Sequence, residues 1–293
     1  MAEAEIAVIG GSGLYDMDGL TDREEVEFHT PFGAPSDVIV LGVLGDTRVA
    51  FLPRHGRGHV LSPSRIPVRA NIYALKSLGV ERIVSVSAVG SLKEEVRPLD
   101  LVVPDQLIDR TYAREATFFD DGVVGHVAFE QPFCPDLSRD VALVAKRQGV
   151  TTHFGGACVV MEGPQFSTRA ESELYRSWGG SIVGMTALPE AKLAREAEIC
   201  YATMAFVTDY DCWHDGEESV SVDLVVANLS RNVATAQDVI REVVARQSVD
   251  RECACSEALK NAMITDPDRI TEEARERLSL IVGRYLSAAR EVV

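Results

Sequence analysis

The stretch EIAVIGGSG, residues 5–13, joins an apolar run to a glycine-rich turn. This pattern is typical of a buried β-strand that ends where the backbone turns sharply. It recurs in RIVSVSAVGS (82–91) and in GGACVVMEGPQF (155–166). Segments with helical spacing lie between these runs, so strands and helices alternate along the chain. The alternation predicts an α/β fold with a mixed, twisted central sheet flanked by helices.

The other predicted elements fit the same fold. VIVLGVLGDTRVAFLPRHG (38–56) predicts a hairpin whose second strand ends in a basic turn, and CYATMAFVTDYD (200–211) predicts the last strand. Helical spacing is present in residues 64–79, 168–179, 187–199, 229–243 and 270–293. The longest irregular stretch runs from Thr111 to Pro135, and long loops in compact domains are often functional. Because no linker or repeat interrupts this pattern, we expect one domain over residues 1–293.

The overall charge and hydropathy exclude some classes of protein. The chain has 293 residues and a net charge of −16, which disfavours binding to nucleic acid or to an anionic membrane surface. No apolar run is long enough for a membrane span. The start, MAEAEIAVIGG, lacks the basic region and long apolar run of a secretory signal. We therefore expect a cytoplasmic protein.

The six cysteines give no metal-binding motif. There is no CxxC pair and no histidine at a zinc-finger spacing, so the sequence predicts reduced, mostly buried thiols and no metal. The CxC in ECACSE, formed by Cys253 and Cys255, leaves two interpretations open. It is either a disulfide or redox element, or simply a pair of small residues.

The first glycine turn is a candidate anion site. A dinucleotide fold requires a third glycine after Gly11 and Gly13, but position 16 is Asp. This disfavours a nicotinamide dehydrogenase. The backbone N–H groups of the turn, together with the Ser12 hydroxyl, can bind an anion instead. A plain tight turn is the alternative.

Two further strand ends carry groups suited to an oxyanion, because ligands of α/β folds collect at the carboxyl ends of strands. In LPRHGRGH, Arg54 offers a fork of donors and His55 a further donor, unless this is only a solvated basic loop. SVSAVGS places Ser87 and Ala88 at another strand end, and GMTALPE places Thr186 there. With no metal cluster and no Walker lysine, the set indicates a free oxyanion such as inorganic phosphate.

EGPQFSTRAE places an aromatic ring beside a turn. Phe166 is either part of the core or a ring that stacks on a flat ligand. Ser167 and Thr168 suit the role of helix caps.

FVTDYDCW (206–213) ends an apolar strand with two acids. Residues i and i+2 of an extended chain point to the same side, so Asp209 and Asp211 share one face. Two buried like charges are costly unless a ligand needs them. Solvent exposure of both acids is the alternative.

Many segments, in order, resemble the S-methyl-5′-thioadenosine phosphorylases, in the trimeric branch of the purine nucleoside phosphorylases. They include IGGSGLYD, TPFGAPSD, RHGRGH, ANIYALKSLGV, SAVGSL, DQLIDRT, EQPFCPD, EGPQFSTRAES, GMTALPEAKLAREAEICYA, TDYDCW and VSVD. The resemblance runs from about Ile6 to Ala245. Residues 250–293 match poorly, and we expect them to form a divergent C-terminal helical segment of the same phosphorylase domain.

The resemblance implies a role for each matching residue. It assigns phosphate to Ser12, Arg54, His55, Ser87, Ala88 and Thr186. It assigns the nucleoside to Phe166, Met185, Asp209 and Asp211, with Asp209 catalytic, and specificity to Ser167, Val220 and Val222. His126 matches a residue that reaches a neighbouring subunit's site. Some relatives carry Asn at the position of Gly184, just before Met185. Because glycine has no side chain, we expect this position to contact the substrate only through its backbone.

The implied reaction is attack of phosphate on C1′ of methylthioadenosine, which releases adenine and 5-methylthioribose 1-phosphate. Adenine accepts at N7 and donates from its 6-amino group, so two carboxyls that share a proton match both groups. We expect Asp209 to donate to N7 and Asp211 to accept from the amino group. Phosphate is a co-substrate, and no cofactor is expected. The resemblance implies a homotrimer or a dimer of trimers.

Three alternatives remain open. A related purine nucleoside or methylthioinosine phosphorylase would share the fold and the phosphate site but prefer another 6-substituent. A purine or phosphate binder without activity would bind these ligands but release no adenine. Val220 and Val222 favour a methylthio group over a 5′-hydroxyl only modestly, so activity on adenosine is also open.

Overall fold

The computed structural model describes residues 3–11, 14, 17–214, 222–246 and 251–288. Ser12 and Val220 therefore lie outside the described residues, and of Val222 only its place in a helix is described.

One branched sheet of eleven strands forms the centre of the described structure. The strands are β1 (Ile6–Gly10), β2 (Leu20–Val26), β3 (Ile39–Leu44), β4 (Thr47–Pro53), β5 (Arg82–Ser91), β6 (Leu101–Val103), β7 (Gln106–Arg110), β8 (Thr152–Phe154), β9 (Ala157–Met161), β10 (Gly180–Gly184) and β11 (Cys200–Tyr210). Their main order is β2-β3-β4-β1-β5-β10-β9-β7, and β11, β6 and β8 branch from β5. Parallel and antiparallel pairs both occur, so the predicted mixed sheet is confirmed.

β5 connects the parts of the sheet. Its first residues pair in parallel with β1, it pairs in parallel with β11 over nearly its full length, and its end meets β10 in antiparallel register. Every residue of β11 up to Asp209 is buried, as expected for a strand covered on both faces. Because parallel strands end at the same edge, this pairing brings several strand ends together.

Helices cover both faces of the sheet. They are α1 (Val68–Ser77), α2 (Pro135–Arg147), α3 (Arg169–Ser177), α4 (Ala187–Glu196), α5 (Val222–Arg246) and α6 (Glu272–Ala288). The helices α1, α4 and α6 bury apolar residues in one core, and α2 and α5 do so in a second core on the other face. The first core contains residues from β1 through α6, which confirms the predicted single α/β domain.

The sequence predictions of strands are correct for β1, β3, β4, β5, β9, β10 and β11. Four strands and one helix were not predicted. In β2, residues 21–25 are exposed, so its sequence lacks a strand's apolar signal. The strands β6 and β8 are only three residues long, β7 has no buried residue, and α2 lies directly after the long loop.

One predicted helix start is corrected, and one of the two candidate caps of α3 is confirmed. α1 begins at Val68 and not near Ser64, because Pro67 lacks the N–H that a helix interior needs. Thr168, and not Ser167, caps α3, and its hydroxyl accepts from the Glu171 N–H.

The long loop is confirmed as irregular, since no helix or extended strand lies between Arg110 and Pro135. Within the described ranges, no helix is both long enough and apolar enough to cross a lipid bilayer.

Glu198 attaches the C-terminal segment to the sheet. Its buried carboxylate accepts from the Leu259 N–H at 3.1 Å, from the Tyr285 hydroxyl at 2.5 Å and from Arg284. Leu259 and several residues of α6 belong to the same core as α1 and α4. The segment after Arg251 is therefore packed into the domain.

Replacing Glu198 by Ala should lower the free energy of unfolding by about 1–3 kcal/mol, the usual cost of leaving buried donors unpaired. Urea denaturation measures this change. Glu257→Ala is the matched control, because Glu257 is exposed and its ion pair is with exposed Lys260. Equal stabilities for the two variants would show that Glu198 does not hold the segment.

Candidate active site

A cavity of about 770 Å³ opens at the carboxyl ends of β1, β4, β9, β10 and β11. This is the edge where α/β folds bind ligands, and the volume suits a nucleoside-sized molecule. Nine of the residues selected from the sequence line it: Arg54, His55, Ser87, Ala88, Phe166, Met185, Thr186, Asp209 and Asp211.

One end of the cavity is rich in hydrogen-bond donors. The hydroxyls of Ser87 on β5 and Thr186 before α4 lie 3.1 Å apart. Ala88 and Gly11 line the same cavity, and the parallel pairing of β1 with β5 brings the second half of β5 beside the first glycine turn. These neutral groups can surround a small oxyanion, although they carry no charge of their own.

Arg54 is the buried cation at this end. Its guanidinium contacts the Glu190 carboxylate through Nε and through Nη2, the latter at 3.1 Å. Nη2 also donates to Ser85 Oγ at 2.5 Å, and Nη1 donates to the Val86 carbonyl at 3.0 Å. Within the described residues, these contacts use one of the two Nη1 hydrogens and leave the other for a ligand. Burial opposes the charge, but Glu190 outweighs burial and raises the pKa of Arg54.

Glu190 was not selected from the sequence, although it is 1% exposed and fixes the orientation of Arg54. Tyr201 also donates to it, at 2.9 Å. A sequence signal was available, because Glu190 lies on the same helical stripe as Ala187, Ala191 and Ala194. An acid on an apolar stripe indicates a buried partner of opposite charge.

Glu190→Gln should lower the free energy of unfolding by about 3 kcal/mol, since it leaves the Arg54 charge buried without a counter-charge. Phosphate should stabilise this variant more than it stabilises the unchanged protein, because an anion then replaces the lost carboxylate. Thermal unfolding with and without phosphate measures both effects. Glu25→Gln, which breaks an exposed pair with Arg57, should change stability by less than about 1 kcal/mol. A phosphate response unchanged in Glu190→Gln would contradict the proposed proximity of Arg54 to the anion.

His55 is neutral at pH 7. Burial, followed by the positive charge of Arg54, lowers the pKa of His55 to about 4. Its Nδ1 lies 2.8 Å from the Leu61 carbonyl, which can only accept, so Nδ1 carries the proton and Nε2 keeps a lone pair. The sequence predicts a donor here, but the neutral ring offers a hydrogen-bond acceptor at Nε2. Its contribution to folding stability is complete above about pH 6.5 and is lost as the pH falls towards 4.

The two aspartates lie side by side at the end of β11. Asp209 pairs in register with Gly90, and a methyl group added to Gly90 would lie 3.2 Å from Asp209 Oδ1 and 3.4 Å from Asp211 Cβ. The two residues are 5% and 3% exposed, so the alternative of solvent exposure is wrong. Tyr210 points elsewhere, donating to the Glu94 carbonyl.

The two carboxylates have different local partners. Thr208 donates to Asp209 Oδ2 at 2.7 Å. Asp211 Oδ2 is buried and has no hydrogen-bond partner within the described part of the chain. A buried carboxylate oxygen of this kind is costly unless a ligand donates to it.

α5 lines one side of the cavity and carries two buried asparagines that were not selected from the sequence. Asn228 Nδ2 donates to the Thr208 carbonyl at 2.6 Å and so ties α5 to the end of β11. Asn232 lines the cavity, and its buried Nδ2 has no partner among the residues described. The sequence signal for these two asparagines is their spacing, because residues four positions apart lie on the same face of a helix.

The middle of the cavity is apolar. Phe166 is 42% exposed and lines the cavity, so its alternative as a core residue is wrong. Met185 lines the cavity beside it. Arg114, also missed, donates to the carbonyls of Met185 and Leu188, each at 2.6 Å, and thereby fixes the backbone on both sides of Thr186.

Two selected residues do not line this cavity. Ser167 follows Phe166, and its hydroxyl lies 3.4 Å from the sulfur of Met161. His126 is exposed on the long loop, where its backbone N–H donates to the Ala262 carbonyl at 2.8 Å.

The fold and the cavity define an α/β enzyme whose site combines an oxyanion end, an apolar middle and paired carboxyls. The chain belongs to the phosphorylase superfamily, whose family model matches residues 5–245. It is 56% identical to the S-methyl-5′-thioadenosine phosphorylase of Geobacter sulfurreducens over 285 residues, which cover 97% of this chain and all of that protein. It is also 56% identical to the enzyme of that name from Chloroflexus aurantiacus, covering 98% of this chain and all of that protein.

Solved structures show the same similarity. A methylthioadenosine phosphorylase from an Antarctic soil metagenomic library superposes with a TM-score of 0.92 at 50% identity, covering 96% of this chain and 99% of that one. The methylthioadenosine phosphorylase of Schistosoma mansoni in complex with adenine has a TM-score of 0.80 at 36% identity, with coverages of 88% and 96%.

Proposed function

We propose that this enzyme is an S-methyl-5′-thioadenosine phosphorylase, which converts S-methyl-5′-thioadenosine and inorganic phosphate to adenine and 5-methylthioribose 1-phosphate. The main observation is the buried pair Asp209 and Asp211, with one unpartnered oxygen among the described residues, in the same cavity as the donors of Arg54, Ser87 and Thr186. The names of the relatives and the adenine bound in the Schistosoma mansoni enzyme support the same substrate.

The carboxyl pair distinguishes adenine from other bases. Asp209 holds the proton and donates to N7, while Asp211 Oδ2 accepts from the 6-amino group. Hypoxanthine has an acceptor at position 6, which would face the Asp211 carboxylate. Phe166 and Met185 pack on the base and ribose. Ser167 is assigned to specificity by the resemblance alone, since it does not line the cavity.

The oxyanion end holds phosphate. The free Nη1 hydrogen of Arg54, the hydroxyls of Ser87 and Thr186 and the backbone at Ala88 donate to it, and His55 Nε2 accepts from a protonated phosphate oxygen. The resemblance adds Ser12, which lies outside the described residues, to this set. Because Arg54 is already paired with Glu190, placement of the anion depends mainly on directed hydrogen bonds.

In the reaction, a phosphate oxygen forms a bond to C1′ as the bond from C1′ to N9 breaks. Positive charge develops on the ribose next to the phosphate anion, which stabilises it electrostatically. The electron pair of the broken bond stays with adenine, and the Asp209 proton moves to N7. The reaction forms no covalent enzyme intermediate and uses no cofactor.

The resemblance assigns the 5′ methylthio group to Val220 and Val222. Val226, four residues after Val222 on α5, lines the cavity, which supports this placement. His126 lies on the exposed loop and reaches a neighbouring subunit's site in a homotrimer or a dimer of trimers. Six free cysteines suit a reducing cytoplasm, and the net charge of −16 suits neither a nucleic-acid nor a membrane partner.

The test is adenine release from methylthioadenosine with and without phosphate, with methylthioinosine assayed in parallel. We expect phosphate-dependent release from the adenine substrate only. Phosphate-dependent release of the base from methylthioinosine alone would show that the enzyme is a related phosphorylase that prefers another base. Binding of both ligands without release would leave a non-catalytic binder.

A further inference from the structure

Four cysteines from distant parts of the chain meet in one cluster. Cys134 precedes α2, Cys200 begins β11, and Cys253 and Cys255 belong to the segment after α5. All four sulfur atoms lie within 4.8 Å of one another, and those of Cys200 and Cys253 are 3.3 Å apart. The cluster is remote from the active site, because Cys200 and Asp209 are nine residues apart on one strand, or about 30 Å.

The distances match those of a metal tetrathiolate. Zinc bound by four cysteines has bonds of about 2.3 Å in a tetrahedron, which puts the sulfurs about 3.8 Å apart. In the cluster, one pair of sulfurs is 3.3 Å apart and none of the pairs is more than 4.8 Å apart, a range that includes that value. We propose that Cys134, Cys200, Cys253 and Cys255 bind one zinc ion, which holds the C-terminal segment to the sheet.

Two ligands are held in place by the fold itself. The Cys134 N–H donates to the Tyr201 carbonyl at 2.8 Å, and the Cys200 N–H donates to the Glu81 carbonyl at 2.9 Å. Rigid elements of this kind favour a metal site, because the ligands need little reorganisation. The other two ligands arrive together from the CxC, so the metal joins two parts of the chain.

Arg251, whose Nε pairs with the Glu81 carboxylate at 3.1 Å, lies beside the cluster. Zinc with four thiolates carries a net charge of −2, which is costly to bury without nearby positive charge. Arg251 donates to the Glu198 carbonyl at 2.9 Å and reaches the same Glu81 carbonyl that binds the Cys200 N–H. Its guanidinium therefore lies beside the backbone of one ligand.

Four converging thiols also fit a metal better than disulfides do. A disulfide joins two sulfurs and gives no reason for a second pair to lie within the same 4.8 Å. Tetrahedral coordination requires all four. The sequence gives no sign of the site, because its ligands are spread over about 120 positions and the CxC lacks the CxxC spacing.

The experiment begins with protein produced with zinc and purified under anaerobic conditions without added chelator. Elemental analysis should find about one zinc per chain. Replacing zinc by cobalt should give the visible bands of a tetrahedral cobalt ion and thiolate-to-cobalt charge transfer. The variant Cys253→Ser/Cys255→Ser should lose the metal and unfold at a lower temperature. Cys158→Ala, which removes a buried thiol outside the cluster, should keep the metal.

The cobalt spectrum of the unchanged protein tests the site even if the double variant does not fold. Mass mapping of alkylated thiols tests the disulfide alternative. Disulfides among the four cysteines of the anaerobic protein would overturn the proposal. Four free thiols that take up neither zinc nor cobalt would also overturn it.

Discussion

Asp209→Asn should lower kcat for adenine release by about 10²–10⁴-fold, the usual contribution of a general acid. Asparagine has nearly the same shape and can still hydrogen-bond N7, but it has no proton to transfer. The KM for methylthioadenosine should therefore change little. Steady-state kinetics at saturating phosphate measure both constants.

A matched control is Asp136→Asn, because Asp136 lies on the surface and its ion pair is with Arg139. Its kinetics should equal those of the unchanged enzyme. A nucleoside whose base leaves without protonation should lose much less activity in Asp209→Asn, since it does not need the acid. If kcat fell by less than about threefold with methylthioadenosine, or equally for both substrates, Asp209 would not be the proton donor.

The acid pair shows what sequence patterns can predict about a site. The spacing of Asp209 and Asp211 puts them on one face, and the apolar run before them implies burial, both of which the structure confirms. The strand ends with Arg54, Ser87 and Thr186 were also found, because glycine turns after apolar runs mark the sheet's functional edge. Such signals are local, so they can be recognised in the sequence without knowledge of the order of the strands in the sheet.

Residues that act through long-range contacts were missed. Glu190 contacts Arg54 across 136 positions, and Arg114 reaches the carbonyl of Leu188 across 74. The position of Glu190 on an apolar helical stripe indicates that it is buried, but the partners of both residues depend on the order of the strands, which no local pattern reveals. The cysteine cluster is the clearest example of this limit. Cys134 lies just before α2, Cys200 begins β11, and the other two cysteines lie in the segment after α5.

The same limit applies to the fold. Long buried strands such as β5 and β11 have clear sequence signals, whereas β6 and β8 are three residues each and depend on their partners. The exposed edge strand β2 has a polar sequence, and its place in the sheet depends on pairing with β3. Tertiary context decides these elements.

Asp211→Asn should shift the preference between methylthioadenosine and methylthioinosine by about 10²–10³-fold towards the inosine compound, as expected where a buried hydrogen-bonding group is reversed. The new amide can donate to O6 of hypoxanthine, which the carboxylate repels. The amide can also turn its oxygen towards the amino group of adenine, so most of the shift should come from improved use of methylthioinosine. The ratio of kcat/KM for the two substrates measures it.

Stability gives a second, independent readout of the same substitution. In the free protein, Asp211 Oδ2 is buried with no partner among the described residues, which costs about 1–3 kcal/mol. Asp211→Asn removes that buried charge, so the melting temperature of the variant without ligand should not fall below that of the unchanged protein. Asp209→Asn is the control for specificity, because it should slow both substrates without changing their ratio. If Asp211→Asn changed the ratio of kcat/KM for methylthioadenosine and methylthioinosine by less than about threefold, this carboxylate would not face the 6-substituent.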